Sequence, residues 1–223
     1  MKPLKTILKF LTPDSCVGCG LEGRSICADC SELLSFPDQC YRCKKPSLGG
    51  LTCSKCVKKT AVSALWVVSG YSGLAKDLVV YMKYHPSAST ASEIGDLMAT
   101  RLPFLEKDQT IIAHIPTTAS RRRERGFDQA SVMTKQISKI SGIRSAPILR
   151  RLTKSHQVGS GKKARLEHMH EGFRTKNTHL FAGKTVVLVD DVLTTGATLE
   201  SSARTIKQAG AKKVVAVVFA RAE

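Results

Sequence analysis

The sequence predicts an α/β protein in which a mostly parallel, doubly wound sheet follows a small cysteine-rich module. Two observations support this class. Apolar strand-like runs alternate with helical stretches after residue 59, an order typical of parallel sheets. All eight cysteines lie between residues 16 and 56, ahead of those runs. We therefore expect a module at residues 1–59 and a domain at residues 60–223, long enough to bury a sizeable core.

Four apolar runs and three helical stretches define the predicted domain. Strands are expected at residues 61–71, 110–116, 184–191 and 213–220, and helices after Gly73, at 127–141 and at 197–209. The run at 184–191 does not alternate, so its strand should be buried on both faces. Ligands of such sheets bind at the carboxyl ends of strands, where Pro116 and the pair Asp190–Asp191 stand.

The cysteines form four C-x-x-C pairs, each able to provide two corners of a tetrahedral site. Eight thiolates predict two structural Zn²⁺ sites of four cysteines each. Each site contains either two neighbouring pairs or, in a cross-brace arrangement, two pairs that are not neighbours. Disulfides are the alternative, but they need an oxidising compartment. A redox C-x-x-C motif normally stands alone beside a βαβ unit. The ligands are Cys16, Cys19, Cys27, Cys30, Cys40, Cys43, Cys53 and Cys56.

The chain carries a formal net charge of +17, which favours a polyanionic partner. Residues 121–176 hold 15 Lys and Arg against four Asp and Glu. No apolar run approaches the roughly 18 residues of a membrane span. At the amino terminus, Lys9 interrupts the apolar stretch, so a short amphipathic helix before Pro13 fits better than a signal peptide. These observations predict a cytoplasmic protein with no membrane span.

The segment "VVLVDDVLTTGATLE", residues 186–200, carries the clearest chemical signal. A strand ends in two acids and is followed by a Thr- and Gly-rich turn into a helix. Backbone N–H groups and the helix dipole at such a turn form an anion site. The acids can accept hydrogen bonds from paired hydroxyls, so one 5′-phosphate and a ribose diol would satisfy both features. The absence of G-x-x-x-x-G-K disfavours an ATP-type site.

This segment resembles the 5-phosphoribosyl-1-pyrophosphate (PRPP) loop of type I phosphoribosyltransferases. The resemblance implies that Asp190 and Asp191 are catalytic and hold the ribose hydroxyls. It also implies that the turn binds the 5′-phosphate. Mg²⁺ is expected with PRPP because pyrophosphate groups need charge neutralisation and an oxygen-liganded ion suits them. The residues of the turn are Thr194, Thr195, Gly196, Ala197 and Thr198.

A wider resemblance covers nearly the whole chain. The order "LTPDSCVGCG", four cysteine pairs, "KYH", "RRRERGFDQA", "RRLTKSHQ", "ARLEHMHEGF" and the PRPP loop is similar to the ComF family. That family implies a double zinc ribbon before a type I phosphoribosyltransferase domain, and a role in uptake of transforming DNA. The chain departs from the family pattern at Asp128 and His168, where Asn is usual, and at Glu171 and Gly172.

Basic residues near the predicted site, and two threonines of the loop at residues 116–119, are candidates for binding pyrophosphate or nucleic acid. Charge neutralisation would stabilise a pyrophosphate leaving group, whereas a solvated basic helix face is the alternative. Residues 151–173 are expected to be a long loop that closes over substrate. The candidates are Thr117, Thr118, Arg121, Arg123, Arg125, Arg151, Lys154 and Arg165.

Three functions remain open at this point. The first is a PRPP-binding phosphoribosyltransferase-like protein that acts in DNA uptake and also binds single-stranded DNA. The second is a non-catalytic nucleic-acid-binding adaptor on a PRPP-binding scaffold. The third is a nucleobase salvage phosphoribosyltransferase. The sequence identifies no general base, so the acceptor is left unassigned.

Overall fold

A computed structural model describes residues 15–85, 87–152 and 172–222. The predicted amino-terminal helix lies outside these ranges. In the described part of the chain, no helix combines the length and hydrophobicity that crossing a bilayer requires.

The cysteine-rich module is built from short turns around its C-x-x-C pairs. Its helices are α1 (Ala28–Glu32) and α2 (Ser54–Val57), with a 3₁₀ turn at Leu48–Gly50. Two of the pairs form tight turns, the first knuckle at residues 16–20 and the second knuckle at residues 40–44. In the first, the N–H of Gly20 donates to the carbonyl of Cys16 at 2.8 Å, and in the second, the N–H of Lys44 donates to the carbonyl of Cys40 at 3.1 Å. These turns aim two sulfurs to the same side, as the spacing predicts.

A four-stranded parallel sheet forms the centre of the domain, with the strand order β1–β6–β5–β2. Its strands are β1 (Leu65–Gly70), β2 (Thr110–His114), β5 (Thr185–Leu193) and β6 (Lys213–Arg221). The two acids lie inside β5, not after it, because β5 continues to pair with β6: Asp190 stands opposite Val218, and Leu193 opposite Arg221. The strand is therefore longer than the apolar run that predicted it.

Helices cover both faces of this sheet, so the predicted doubly wound architecture is confirmed. One face carries α3 (Gly73–Tyr84), α4 (Ala88–Thr100) and α6 (Gln129–Ser141), and the other carries α7 (Ala197–Gln208). Successive residues of β5 alternate between the two cores, as Val187 and Leu188 illustrate. The sequence did not predict α4.

The cysteine-rich module packs against both layers. Cys16, Cys27 and Cys30 belong to the core on the α3–α4 face. Tyr41 belongs to the core on the α7 face. The module therefore contacts the domain through two separate apolar surfaces.

A small antiparallel hairpin, β3 (Leu149–Arg151) with β4 (Phe173–Thr175), flanks the long loop predicted at 151–173. Arg151 and Phe173, the two ends of the predicted loop, belong to strands, and residues 153–171 lie outside the described ranges. The loop after β2 leads into a short helix, α5 (Ala119–Arg125).

Candidate active site

A cleft with a cavity volume of about 350 Å³ opens at the carboxyl ends of β2 and β5, where the sequence predicted ligand binding. The parallel pairing places these two strand ends side by side, with His114 opposite Val189. The cleft is lined by Tyr71, Lys83, Ile115, Pro116, Thr117, Arg121, Arg125, Asp128, Gln129, Ala130, Arg151, Asp190, Asp191, Val192, Thr194 and Thr198.

The two adjacent acids have different environments. Asp191 forms an ion pair with Lys83, with 3.0 Å between Oδ2 and Nζ, and its Oδ1 accepts from the N–H of Val192 at 2.7 Å. Asp190 Oδ1 accepts from the N–H of Asp191 at 3.0 Å. Burial, reinforced by the charge of Asp191, raises the pKa of Asp190 to about 8, and Lys83 opposes this shift. Asp190 therefore holds a proton more tightly than an ordinary aspartate does.

The Thr- and Gly-rich turn connects the acids to the first turn of α7. Gly196 has φ 77°, a left-handed conformation that glycine adopts without a Cβ clash. Its carbonyl accepts from the N–H of Glu200 at 2.8 Å, and the Thr195 hydroxyl accepts from the N–H of Ala197 at 3.3 Å. Thr194 and Thr198 line the cleft, whereas Thr195, Gly196 and Ala197 line a separate cavity behind the turn.

The loop after β2 is held in place by Asp128. Its Oδ2 accepts from the N–H of Thr117 at 3.1 Å, and its Oδ1 accepts from the N–H of Ser131 at 3.3 Å in the first turn of α6. An asparagine has a single side-chain oxygen, so it could not accept these two N–H groups with two separate oxygens as the aspartate does. The aspartate also adds a negative charge to the cleft. Thr118 caps α5 by accepting from the N–H of Arg121 at 3.3 Å.

The structure places only some of the candidate pyrophosphate or nucleic-acid contacts in the cleft. Arg121, Arg125 and Arg151 line the cleft, and so does Thr117. Arg123 is solvent-exposed on α5, outside the cleft lining. Thr118, the cap of α5, also lies outside that lining, and Lys154 and Arg165 fall outside the described residues.

Two of the cleft arginines are positioned by neighbouring groups. Arg151 Nε donates to the carbonyl of Pro116 at 3.1 Å, and its guanidinium lies 4.7 Å from the centre of the Phe173 ring. Arg125 Nη1 donates to Gln129 Oε1 at 2.6 Å, while Gln129 Nε2 donates to a backbone carbonyl of α3 at 3.2 Å. These contacts hold positive charge on the side of the cleft facing the acids.

Sequence reasoning missed several cleft residues. Lys83 and Gln129 were visible only as parts of the "KYH" and "RRRERGFDQA" motifs, and Tyr71 had no separate signal. Lys83 lies more than 100 residues from Asp191 in the chain. Their pairing depends on how α3 packs against the sheet.

A family model described as "Phosphoribosyl transferase domain" matches residues 88–223, more than half of the chain. The chain belongs to this family. The match starts at α4 and includes the acids, the turn and the loop after β2. It also confirms the fold class expected from the sequence, a phosphoribosyltransferase domain behind a cysteine-rich module.

Curated relatives extend the similarity into the module. The chain is 26% identical over 200 residues to "DNA utilization protein YhgH" of Escherichia coli O6:H1, covering 85% of this chain and 87% of the relative. It is 27% identical over 200 residues to "Competence protein ComFC" of Bacillus subtilis, covering 78% and 80%. It is 25% identical over 221 residues to "Competence protein F" of Haemophilus influenzae, covering 93% and 90%. These matches confirm membership of the ComF family.

Among solved structures, the chain is similar to an adenine phosphoribosyltransferase from Thermoanaerobacter pseudethanolicus, with 15% identity and a TM-score of 0.40. The match covers 63% of this chain and 84% of that one.

Ahead of the phosphoribosyltransferase domain, the eight cysteines form two clusters in which the sulfurs lie within 4.8 Å of one another. The clusters join neighbouring pairs, which settles the pairing that spacing left open. All eight are free thiols. The first cluster is Cys16, Cys19, Cys27 and Cys30, and the second is Cys40, Cys43, Cys53 and Cys56.

The thiols of each cluster have unequal acidity. For Cys16, backbone N–H donors outweigh the effect of burial and lower the pKa to about 6. The side-chain hydrogen bond with Cys27, together with Cys16 and burial, raises the pKa of Cys30 to about 12. Four thiolates at this spacing repel one another, so a bound cation is the charge that would stabilise them together.

Proposed function

We propose that the chain binds PRPP together with Mg²⁺ and transfers its phosphoribosyl group. The observation that carries this proposal is that Asp190 and Asp191 of β5 line one cleft together with Thr194 and Thr198 of the turn and the arginines of α5 and β3. One cleft thereby offers groups suited to a phosphate, a diol and a pyrophosphate.

Each part of the cleft has its own task in this proposal. The turn and the amino-terminal end of α7 bind the 5′-phosphate through backbone N–H groups and the hydroxyls of Thr194 and Thr198. The two carboxylates accept from the ribose hydroxyls. Arg121 and Arg151 face the leaving pyrophosphate, whose negative charge grows in the transition state.

Mg²⁺ fits this cleft because the ion commonly binds through one or two carboxylates plus substrate phosphates. Asp190 and Asp191 are the residues that would hold it. The ion would neutralise charge on the pyrophosphate. The raised pKa of Asp190 means that binding of the cation and ligand would release a proton.

We also propose that both cysteine clusters hold structural Zn²⁺. Four sulfurs within 4.8 Å match the donor set and the size of a tetrahedral Zn²⁺ site. The module has few apolar residues of its own, so the metal would provide much of its stability. Retention of eight reduced thiols is in keeping with a cytoplasmic location.

The names of the relatives support a role in DNA uptake during natural transformation, which we propose for this chain. Binding of single-stranded DNA is a second candidate activity, favoured by α5. Arg122 and Arg123 are solvent-exposed there beside the cleft, and four of its seven residues are arginine. Phosphate contacts of this kind should weaken steeply as salt rises.

Calorimetric titration with PRPP and Mg²⁺ tests the main proposal. Wild type should bind, and the variant with Asp190→Asn and Asp191→Asn should lose most of the affinity while remaining folded by circular dichroism. Pyrophosphate release on addition of candidate acceptors then separates transfer from simple binding. Lack of PRPP binding by wild type would leave the nucleic-acid-binding adaptor as the better account. Release of pyrophosphate only with a nucleobase would support salvage.

A further inference from the structure

The two halves of the cysteine-rich module carry opposite charge. Residues 15–38, which hold the first cysteine cluster, contain one basic residue against four acidic ones. Residues 39–60, which hold the second cluster, contain six basic residues and no acidic one. All six are solvent-exposed: Arg42, Lys44, Lys45, Lys55, Lys58 and Lys59. Within the module, positive charge is therefore concentrated around the second cluster.

These six basic residues lie close together. Each is within three residues of a cysteine of the second cluster, a distance of at most about 11 Å along the chain. The four sulfurs of that cluster lie within 4.8 Å of one another. Arg42 Nη1 also donates to the carbonyl of Lys59 at 3.1 Å, which joins the two ends of the set. The set therefore forms one basic surface.

Apolar side chains are exposed among the basic ones. Leu48 is 91% exposed, Leu51 is 48% exposed and Val57 is 46% exposed. Val57 directly precedes Lys58, and Leu51 lies two residues before Cys53. The six basic residues and these three apolar residues together are called the second-cluster face below.

The turn that carries Leu48 is fixed against the domain. Trp66 Nε1 donates to the carbonyl of Gly49 at 3.0 Å. Gly50 has φ 66°, and a Cβ at this position would overlap the carbonyl oxygen of Leu65. The turn is thus held against β1, while the Leu48 side chain stands in solvent. A partner that covered this side chain would remove apolar surface from water, which is favourable.

Neutralisation of the cysteine thiolates does not explain the basic residues. The first cluster also has four cysteines with sulfurs within 4.8 Å, yet its half of the module is acidic. A four-cysteine cluster in this chain therefore does not require surrounding cations, and an anionic partner is the better explanation. The exposed acids of the first half are Glu22, Asp29, Glu32 and Asp38.

The side chains of the second-cluster face favour lipid over nucleic acid as that partner. Single-stranded nucleic acid is typically bound by aromatic side chains that stack on bases. The one aromatic residue at 39–60 is Tyr41, which is buried. Five of the six cations are lysine, whereas arginine is the usual residue for nucleic-acid contacts. Lysines beside exposed leucine and valine are typical of surfaces that lie on anionic bilayers.

We propose that the second-cluster face docks the protein on an anionic lipid surface. The lysines are attracted by the headgroup phosphates, and Leu48 enters the boundary between headgroups and acyl chains. One lysine near such a surface is worth roughly fivefold in affinity. The docking is peripheral, and it does not depend on PRPP binding.

The test is sedimentation of the full-length protein with vesicles of phosphatidylcholine that contain about one quarter phosphatidylglycerol. Vesicles of phosphatidylcholine without the anionic lipid are the reference. A chain of net charge +17 is attracted to any anionic surface, so variants matched in charge are needed to assign the binding to one face. Equally tight binding to both kinds of vesicle would overturn the proposal.

Two triple variants, each with three exposed lysines changed to glutamine, provide the matched comparison. The variant in the second-cluster face should bind anionic vesicles at least about tenfold more weakly than wild type, and the control less than about threefold. Both should keep the wild-type circular dichroism spectrum. Equal losses would overturn the proposal. The face variant changes Lys55, Lys58 and Lys59, and the control changes Lys139, Lys207 and Lys212.

The apolar contribution is tested with one leucine from each half of the module. Leu48→Ser should weaken vesicle binding roughly three- to tenfold, because the side chain no longer enters the bilayer boundary. Leu33→Ser, at a residue 74% exposed in the acidic half, should leave binding within about twofold. Equal effects of the two substitutions would contradict docking through this face.

A single strand of DNA is titrated with the same variants to separate the two kinds of polyanion. Docking on lipid predicts that the two triple variants lose similar affinity for DNA. A larger loss of DNA affinity in the face variant, together with unchanged vesicle binding, would assign the second-cluster face to nucleic acid and overturn the lipid proposal. Lack of PRPP binding by wild type would refute the proposed function and leave this inference intact.

Discussion

The hydroxyl of Tyr41 donates a hydrogen bond to the backbone carbonyl of Gly196, with 3.1 Å between the two oxygens. Tyr41 stands inside the second cysteine knuckle, and Gly196 is the residue from which α7 begins. A Cβ at Gly196 would come within 2.8 Å of the Tyr41 hydroxyl oxygen. The cysteine-rich module thus directly supports the turn that we propose to bind the 5′-phosphate.

Tyr41→Phe should weaken PRPP binding without unfolding the chain. The change removes only the hydroxyl, and a lost hydrogen bond of this kind is worth about 1 kcal/mol, or roughly fivefold in affinity. Burial, followed by the charge of Glu200, raises the pKa of Tyr41 to about 12, so the donor stays protonated throughout the neutral range. Calorimetry checks the affinity, and Tyr84→Phe, at a residue 74% exposed on α3, is the control. Equal affinities of the two variants would contradict the supporting role.

Metal loss from the second cluster should impair PRPP binding more than loss from the first. Cys43→Ser and Cys19→Ser form a matched pair, since each removes an exposed thiol from a knuckle. Each variant should lose about one Zn²⁺ per chain. Only Cys43→Ser loosens the knuckle that contacts Gly196. Zinc content, circular dichroism and PRPP titration are measured together, and an equal loss of affinity with both variants would argue against this coupling.

Asp190→Asn should change how stability depends on pH. The pKa of Asp190 is raised from the ordinary 3.8 to about 8, so between these values the folded chain holds a proton that the unfolded chain has lost. The acid therefore reduces the free energy of unfolding as pH rises through that window. The asparagine cannot titrate, so the variant should gain stability relative to wild type from pH 5 to pH 8. Urea unfolding at both values checks the sign, and a constant difference would refute it.

Lys83→Gln should move the pH dependence of PRPP binding upward. Lys83 pairs with Asp191 and opposes the rise in the pKa of Asp190, so its removal should make Asp190 harder to deprotonate. The ion pair is partly buried, and its loss should also reduce stability by about 1 kcal/mol. Titrations across pH 6–9 measure the midpoint. Lys76→Gln, exposed on the same helix, should leave the midpoint in place.

The local sequence was sufficient to predict the elements that depend on interactions between neighbouring residues. The C-x-x-C spacing makes each knuckle by its own turn geometry, so the placement of two thiols on one side of each turn was predictable from residues three apart. The apolar run before Asp190 likewise predicted a strand buried on both faces. Its true end at Leu193 could not be predicted, because backbone pairing with β6 extends it past two polar residues.

The sequence by itself determined the chemistry available to this chain: thiol pairs, adjacent acids after an apolar run, and a Thr–Gly turn into a helix. Tertiary structure decided which of these groups meet. Packing of α3 brings Lys83 to Asp191, and docking of the second knuckle brings Tyr41 to Gly196. Contacts between residues more than 100 positions apart depend on how whole elements pack, and packing is set by many weak side-chain contacts that no short motif records.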